Sequence, residues 1–459
     1  MKNIQALKSI FRAYDIRGTV GDQLTAEFSY WLGRAVGSEA LAHGESTVAA
    51  GRDGRLSGCE LVEGLIKGLL ASGVNVVNIG QIPTPVLYFA AATECRSGVM
   101  VTGSHNPSNY NGFKMVIAGQ SVAGDWVQTL YQRIVSGELV EGAGQLLEKD
   151  LRETYLNRIT GDVQLSRPLK VVVDAGNGVA GELGPELLRR LGCDVKMLYC
   201  EIDGTFPNHH PDPSKPENLQ DLITKVKDVG ADVGLAFDGD GDRLGVVSPQ
   251  GEIIWPDRQM MLYAKGVLAE RPGEVILYDV KCSRNVAKEI ERHGGVAVMC
   301  QTGHSLVKAK VKETDAPLAG EMSGHIFFND RWYGFDDALY TAARLLEILT
   351  RDTRAVAEVF KDLPNSINTP EINVTVSEDH KFELMEKLVK AVDFPDAKII
   401  SIDGLRIEFA DSWALIRPSN TTPCFVLRFE ADSQEALDQT KARIKAFLHA
   451  HDAGLQLDF

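Results

Sequence analysis

A strand, a helix and a second strand recur three times along this chain, each set spanning roughly thirty residues, the length of a strand–helix–strand crossover. STVAAG (46–51) reads as a strand, SGCELVEGLIKGLLASG (57–73) as a helix and VNVVNIG (74–80) as the returning strand. Leu61, Leu65 and Leu69, with Val62, Ile66 and Leu70 beside them, form one helical face. Ser57 and Glu60 have capping-box spacing, and Gly73 is the expected stop. The order repeats in LKVVVDAGNG (169–178), a helix around GPELLRRLG (184–192) and CDVKMLYC (193–200). It repeats again in EVILYDV (274–280), a helix ending near His293 and GVAVMCQTG (295–303). Such units build right-handed crossovers in parallel or mixed sheets covered by helices.

From NTPEINVTV onward the pattern changes. A helix around KFELMEKLVKAV and a terminal helix from about Ser433 flank KIISIDGLRIEFADSWALIRPSNTTP and CFVLRFEAD, with a turn signal at Asp403-Gly404. The expected fold is three tandem similar α/β domains with mixed sheets plus a C-terminal α+β domain, arranged around a central cleft. The expected limits are 1–149, 150–252, 253–364 and 365–459.

A net charge of -15 and a pI near 5.2 argue against nucleic acid as a partner, because phosphate backbones are held by basic surfaces. Seven cysteines without a CxxC pair or a zinc-like His/Cys spacing read as buried free thiols of a reducing compartment. The N-terminal MKNIQALKSIFRAYDIRG lacks the apolar stretch and cleavage site of a signal peptide, and no later run has the length of a membrane span. The chain is expected to be cytoplasmic, monomeric and not membrane-bound.

In SGVMVTGSHNPSNYNGFKMV (97–116) an apolar strand runs into Thr-Gly-Ser-His-Asn-Pro, so Ser104 should project from a loop leaving a strand. A serine needs a neighbouring base or cation to become a nucleophile, and His105 and Lys114 are the nearby candidates. By itself the run also reads as a solvated turn, and the G-x-S-x-G elbow of serine hydrolases is absent.

VGLAFDGDGDRLGVV (233–247) sets Asp238, Asp240 and Asp242 between two apolar strands, with glycines allowing a tight loop. Converging carboxylates repel unless a cation joins them, and an all-oxygen set suits Mg²⁺. The EF-hand pattern fails, because the positions needing Gly and Glu hold Arg243 and Pro249. A phosphatase using an Asp as phosphoryl acceptor would carry its motif after the first strand of the domain.

AGEMSGH (319–325) brings Glu321, Ser323 and His325 together in a loop with two glycines, alternating so that they can share one side and grip sugar hydroxyls, though by itself the run also reads as a polar turn. IRPSNTTP (416–423) places the Arg417 guanidinium ahead of Ser419, Asn420, Thr421 and Thr422, a donor set suited to a phosphate dianion. Arg17, Arg243, Lys281 and His304 also leave strands at loop positions, where open α/β sheets bind ligands.

With TGSHNP, DGDGDR, GEMSGH and RPSNTTP in this order, the chain resembles the bacterial phosphomannomutase/phosphoglucomutases of the alpha-D-phosphohexomutase superfamily, over essentially its full length. The resemblance implies reversible interconversion of hexose 1-phosphate and hexose 6-phosphate, of mannose and glucose, feeding nucleotide-sugar and polysaccharide synthesis. It implies a phosphorylated Ser104, Mg²⁺ held by that phosphoserine with Asp238, Asp240 and Asp242, and a hexose 1,6-bisphosphate intermediate, with glucose 1,6-bisphosphate as activator. Arg17, Lys114, Arg243 and His304 match catalytic positions, with Lys114 and His304 assigned to proton transfer. Tyr14, His105, Lys281, Glu321, Ser323, His325, Arg417, Ser419, Asn420 and Thr421 match substrate-binding positions. Thr422 departs from the family, where Glu is common, and Met322 favours the glucose/mannose branch over the alternative, phosphoglucosamine mutase.

Overall fold

The computed structural model describes residues 4–419 and 422–459. Four sheets succeed one another along the chain. In the first, strands Thr47–Arg52, Asn75–Gln81 and Gly98–Val101 run parallel, Tyr110–Ile117 returns antiparallel beside Gly98–Val101, and Ile16–Thr19 pairs antiparallel with Tyr110–Ile117 at the edge. Leu146–Glu148 adds a short parallel strand at the other edge. The second sheet has the parallel strands Lys170–Asp174, Asp194–Leu198 and Val233–Phe237, followed by antiparallel Leu244–Val247 and Ile253–Ile254. In the third, Val275–Asp279, Val296–Cys300 and Leu318–Gly320 are parallel, and Ile326–Phe328 is antiparallel. The fold is therefore the expected run of mixed α/β sheets.

The central strands are buried on both faces, which explains why they read as unbroken apolar runs rather than alternations: Val171, Val172 and Val173 are all 0% exposed. Burying a side chain of this kind contributes about 1.5–3 kcal/mol. A single apolar cluster runs from Ala49 and Met100 through Val171 and Phe237 to Ile276 and Phe328, so the three α/β units share one core. The C-terminal sheet is antiparallel throughout, with Ser412–Pro418 and Cys424–Ala431 at its centre and its own core around Ile416, Phe425 and Leu448. Lys398–Ile400 and Leu405–Glu408 pair across the Asp403-Gly404 turn, where Gly404 has φ 77°. Trp413 and Leu415 join this unit to Val280 of the third.

Two local expectations change. Ser57 precedes helix Gly58–Ala71 but has helical backbone angles (φ -72°, ψ -12°), so its side chain does not cap. Its hydroxyl accepts instead from Asn111 Nδ2 at 2.9 Å, tying the helix start to the strand that follows the Ser104 loop. The seven cysteines are free, yet Cys59 is exposed on the solvent side of that helix and Cys95 is only half-buried.

Candidate active site

Each α/β unit ends a central parallel strand in the same way, with a short loop and an antiparallel return. Gly98–Val101 turns back into Tyr110–Ile117, Val233–Phe237 into Leu244–Val247, and Leu318–Gly320 into Ile326–Phe328. The three connecting loops carry Ser104, the aspartates and Glu321. This is where open α/β sheets place ligands, and the shared core brings the three loops together.

Ser104 is 5% exposed and has φ 46°, a left-handed conformation that costs a non-glycine residue roughly 1–2 kcal/mol. Its Oγ lies 3.2 Å from Asp238 Oδ2 and 3.2 Å from His105 Nδ1. A Cβ at Gly239 would meet the Ser104 carbonyl oxygen at 2.4 Å, so glycine is what lets the second loop approach the first. Burial, with the charges of Arg243 and Arg17, holds the His105 imidazole well below its ordinary pKa and keeps it neutral.

Asp238, Asp240 and Asp242 are 0% exposed, and one oxygen from each can be chosen so that all lie within 4.8 Å. Asp238 Oδ1 accepts from the backbone N–H groups of Gly241, Asp242 and Arg243, each at 3.1 Å, and its Oδ2 accepts from Arg243 Nε at 3.1 Å. Lys114 Nζ donates to Asp240 Oδ2 at 2.8 Å and to Asp242 Oδ2 at 2.5 Å, and Thr84 Oγ1 donates to Asp240 at 2.6 Å. Burial and mutual repulsion push Asp238 and Asp242 up to about 7, whereas the Lys114 ammonium and the Thr84 hydroxyl overcome burial and hold Asp240 low. Among the described residues the Oδ1 atoms of Asp240 and Asp242 are buried without a hydrogen-bond partner. Two orphan carboxylate oxygens beside a third carboxylate and a serine hydroxyl are the donor set a hard divalent cation takes, so these residues fit Mg²⁺.

The segment 321–325 is a loop closed into a turn, with Glu321 N–H donating to the His325 carbonyl at 2.9 Å. Glu321 accepts from the Gly303 N–H and from Ser323 Oγ (3.3 Å), and burial raises its pKa. His325 Nδ1 lies 2.9 Å from Asp336 Oδ2 and 3.5 Å from Asp242 Oδ1, and its ring stacks on His304 with centroids 5.3 Å apart. Lys308 Nζ donates to the other Asp336 oxygen at 2.8 Å. Burial first, then the Lys308 charge, hold His304 well below its ordinary pKa.

Tyr14 donates to the Thr302 carbonyl at 3.2 Å, and burial pushes its phenol up to about 12. Arg417 Nε donates to Asp403 Oδ2 at 3.1 Å, and Thr302 N–H donates to that same oxygen at 3.1 Å, so the C-terminal unit reaches the third unit beside His304. Lys281 Nζ pairs with Glu371 at 2.9 Å, and Arg17 pairs with Asp15 at 2.5 Å. Ser419 Oγ accepts from Thr422 N–H (3.1 Å) and Oγ1 (2.7 Å), and Lys381 Nζ donates to the carbonyls of Ser419 (2.6 Å) and Thr422 (3.0 Å). Asn420 and Thr421 lie outside the described residues.

The sequence reading passed over Thr84, Asp336, Lys308 and Lys381, and also Asp53 and Arg55 of GRDGR, which read as the polar turn after a strand. Asp53, Arg55 and Thr84 follow apolar strands, Lys308 and Lys381 stand within helices and Asp336 precedes one, positions too common for charged and hydroxyl residues to single them out.

Sequence profiles of phosphoglucomutase/phosphomannomutase match in four consecutive pieces: alpha/beta/alpha domain I over residues 8–140, domain II over 153–251, domain III over 255–367 and the C-terminal domain over 371–447. The chain belongs to the phosphoglucomutase/phosphomannomutase family. A phosphomannomutase/phosphoglucomutase of Pseudomonas aeruginosa is 56% identical over 452 residues, covering 98% of each chain. A phosphoglucomutase of Neisseria gonorrhoeae is 51% identical, covering 97% of each. The crystal structure of a phosphoglucomutase/phosphomannomutase family protein from Burkholderia thailandensis matches with a TM-score of 0.94 at 53% identity, covering 98% of this chain and 99% of that one. Among the described residues no helix is long and apolar enough to cross a membrane.

Proposed function

We propose that the chain interconverts hexose 1-phosphate and hexose 6-phosphate, of glucose and mannose, through a phosphoserine at Ser104 and a hexose 1,6-bisphosphate. The observation that carries this reading is the 3.2 Å approach of Ser104 Oγ to Asp238, a nucleophile from one sheet against a three-carboxylate cluster from another. The names of the P. aeruginosa and N. gonorrhoeae relatives support the same substrate class.

In this reading Asp238, Asp240 and Asp242, with the Ser104 phosphate, would hold Mg²⁺. The bound ion supplies charge neutralisation for phosphoryl oxygens. Lys114, buried against two carboxylates, has its pKa raised well above the ordinary lysine value, so its part is electrostatic rather than that of a base. The neutral His304 imidazole, stacked on His325 beside the aspartate loop, is the better candidate to carry the hydroxyl proton. Arg243 orients Asp238, and His105 hydrogen-bonds the serine. Arg417 and Ser419, with Asn420 and Thr421, would hold the phosphate that is not reacting, helped by Lys281, Arg17 and Tyr14. Glu321 and Ser323 would grip sugar hydroxyls. Gripping either end by one clamp lets the bisphosphate turn over, and the units, with limits near 149, 252 and 364, would close to exclude water. The protein would act as a cytoplasmic monomer supplying hexose 1-phosphates for nucleotide-sugar and polysaccharide synthesis.

The test is turnover of glucose 1-phosphate, mannose 1-phosphate and glucosamine 1-phosphate with Mg²⁺ and a trace of glucose 1,6-bisphosphate, together with mass mapping of phosphate on Ser104. Glucose and mannose turnover with phosphate on Ser104 is expected. Turnover of glucosamine 1-phosphate alone would assign a phosphoglucosamine mutase, and no turnover of any would end the reading. Ser104→Ala should lower kcat by roughly a thousandfold or more while substrate still binds, because the phosphoryl carrier is gone.

A further inference from the structure

Arg55, whose side chain is 0% exposed, lies in the turn between strand Thr47–Arg52 and helix Gly58–Ala71. Its guanidinium faces the main chain of the neighbouring loop. Nη1 donates to the carbonyls of Pro107 (2.6 Å) and Tyr110 (3.0 Å), and Nη2 to those of Ser104 (2.8 Å) and Asn106 (2.5 Å). Asp53 completes the arrangement: its Oδ2 lies 3.3 Å from Arg55 Nε and accepts from Thr102 Oγ1 (2.8 Å) and Gly103 N–H (3.1 Å). A Cβ at Gly103 would sit 2.4 Å from Arg55 Nε, so the loop lies flat on the guanidinium only because glycine stands there. The ring of Phe206, from the second unit, packs against the guanidinium with its centroid 5.1 Å from the guanidinium carbon.

Four carbonyl dipoles pointing at one buried spot repel one another, and only a planar fork with several N–H groups satisfies them together. Through the Ser104 carbonyl this fork fixes the peptide plane that follows the left-handed Ser104, and the Oγ is left facing Asp238. We propose that Arg55 is a positioning residue for phosphoryl transfer, holding Ser104 in its reactive orientation through the main chain of 104–110. The proposal rests on the reading of Ser104 as phosphoryl carrier. A misplacement of about 1 Å at a reacting atom lowers a rate by roughly a hundredfold, which sets the effect to look for.

The test uses the full chain carrying Arg55→Met or Arg55→Lys, with Mg²⁺ present. The rate at which Ser104 gains phosphate from glucose 1,6-bisphosphate is followed by intact mass, and kcat and KM are measured for glucose 1-phosphate. Arg55→Met should slow both phosphorylation and kcat about a hundredfold while KM stays within about threefold. Arg55→Lys should recover no more than about tenfold, because one ammonium cannot span four carbonyls. Gly103→Ala, which pushes a methyl into the guanidinium, should show the same loss in kcat. Phosphorylation of Arg55→Met at the wild-type rate would overturn the proposal. So would a loss confined to KM, or failure of Arg55→Met and Gly103→Ala alike to fold, since the role would then be structural. If the wild-type chain itself gains no phosphate on Ser104, the reading of the function fails instead.

Discussion

Lys114 Nζ, from the first sheet, lies 2.8 Å from Asp240 Oδ2, from the loop of the second, in a buried ion pair that joins the two units at the centre of the site. Removing one partner of such a pair leaves an uncompensated buried charge, at a cost of about 3–5 kcal/mol. Lys114→Met should therefore lower unfolding stability by about 3 kcal/mol in the presence of a chelator. Mg²⁺, bound to the same carboxylates, should recover part of that deficit. Urea denaturation with and without Mg²⁺ checks this, and equal deficits under both conditions would show that the ion does not share these ligands.

Asp240 tests the cation set directly. Replacing partners that only orient metal ligands typically costs ten- to a hundredfold in affinity, so Asp240→Asn should weaken Mg²⁺ binding by about a hundredfold or more. Chelation of the wild-type chain should abolish turnover, and added Mg²⁺ should restore it. Calorimetric titration gives the affinity, and unchanged binding would remove Asp240 from the set.

Arg417 offers a test that separates binding from chemistry. A hydrogen bond to a charged group contributes about 1.5–3 kcal/mol, so Arg417→Ala should raise KM for glucose 1-phosphate by roughly ten- to a hundredfold. Steady-state kinetics that showed a fall in kcat at unchanged KM would place Arg417 at the reacting phosphate instead.

His209 makes stability depend on pH. Its Nε2 contacts both oxygens of the buried Asp174, at 3.1 and 3.0 Å, and its Nδ1 faces the His210 carbonyl at 3.0 Å. Both ring nitrogens thus meet acceptors, which only the imidazolium satisfies. Burial lowers its pKa, and the Asp174 hydrogen bond and charge more than offset that, so the pKa is raised. A group whose folded pKa is raised contributes stability that is fully present below its unfolded pKa near 6.5 and is lost as pH rises through the folded value. The melting temperature of His209→Gln should fall furthest below wild type near pH 6, and the gap should narrow by pH 9. A gap that stayed constant or widened across that range would contradict the ion pair.

The candidate site was legible where chemistry and chain order coincide. Asp238, Asp240 and Asp242 stand in one tight loop, and Ser104 leaves one strand, so a short string carries each. Asp336 was not legible, because nothing near it in sequence signals that it meets His325 at 2.9 Å. The loop of Glu321 and Ser323 was legible, and the two side chains meet in it at 3.3 Å, whereas nothing near His325 in sequence signals that it stacks on His304.

The amino-acid sequence by itself determined the three strand–helix–strand units, the antiparallel C-terminal sheet and the residue types that can hold a cation and a phosphate, because apolar periodicity and loop chemistry are local properties. Only the tertiary structure decided that Arg55 grips the Ser104 loop and that Lys114 reaches across 126 residues to Asp240. Those contacts depend on how the sheets share one core and on which way each loop turns at the end of its strand. A buried charge must find its partner in space, and nothing local in the chain records where that partner will be.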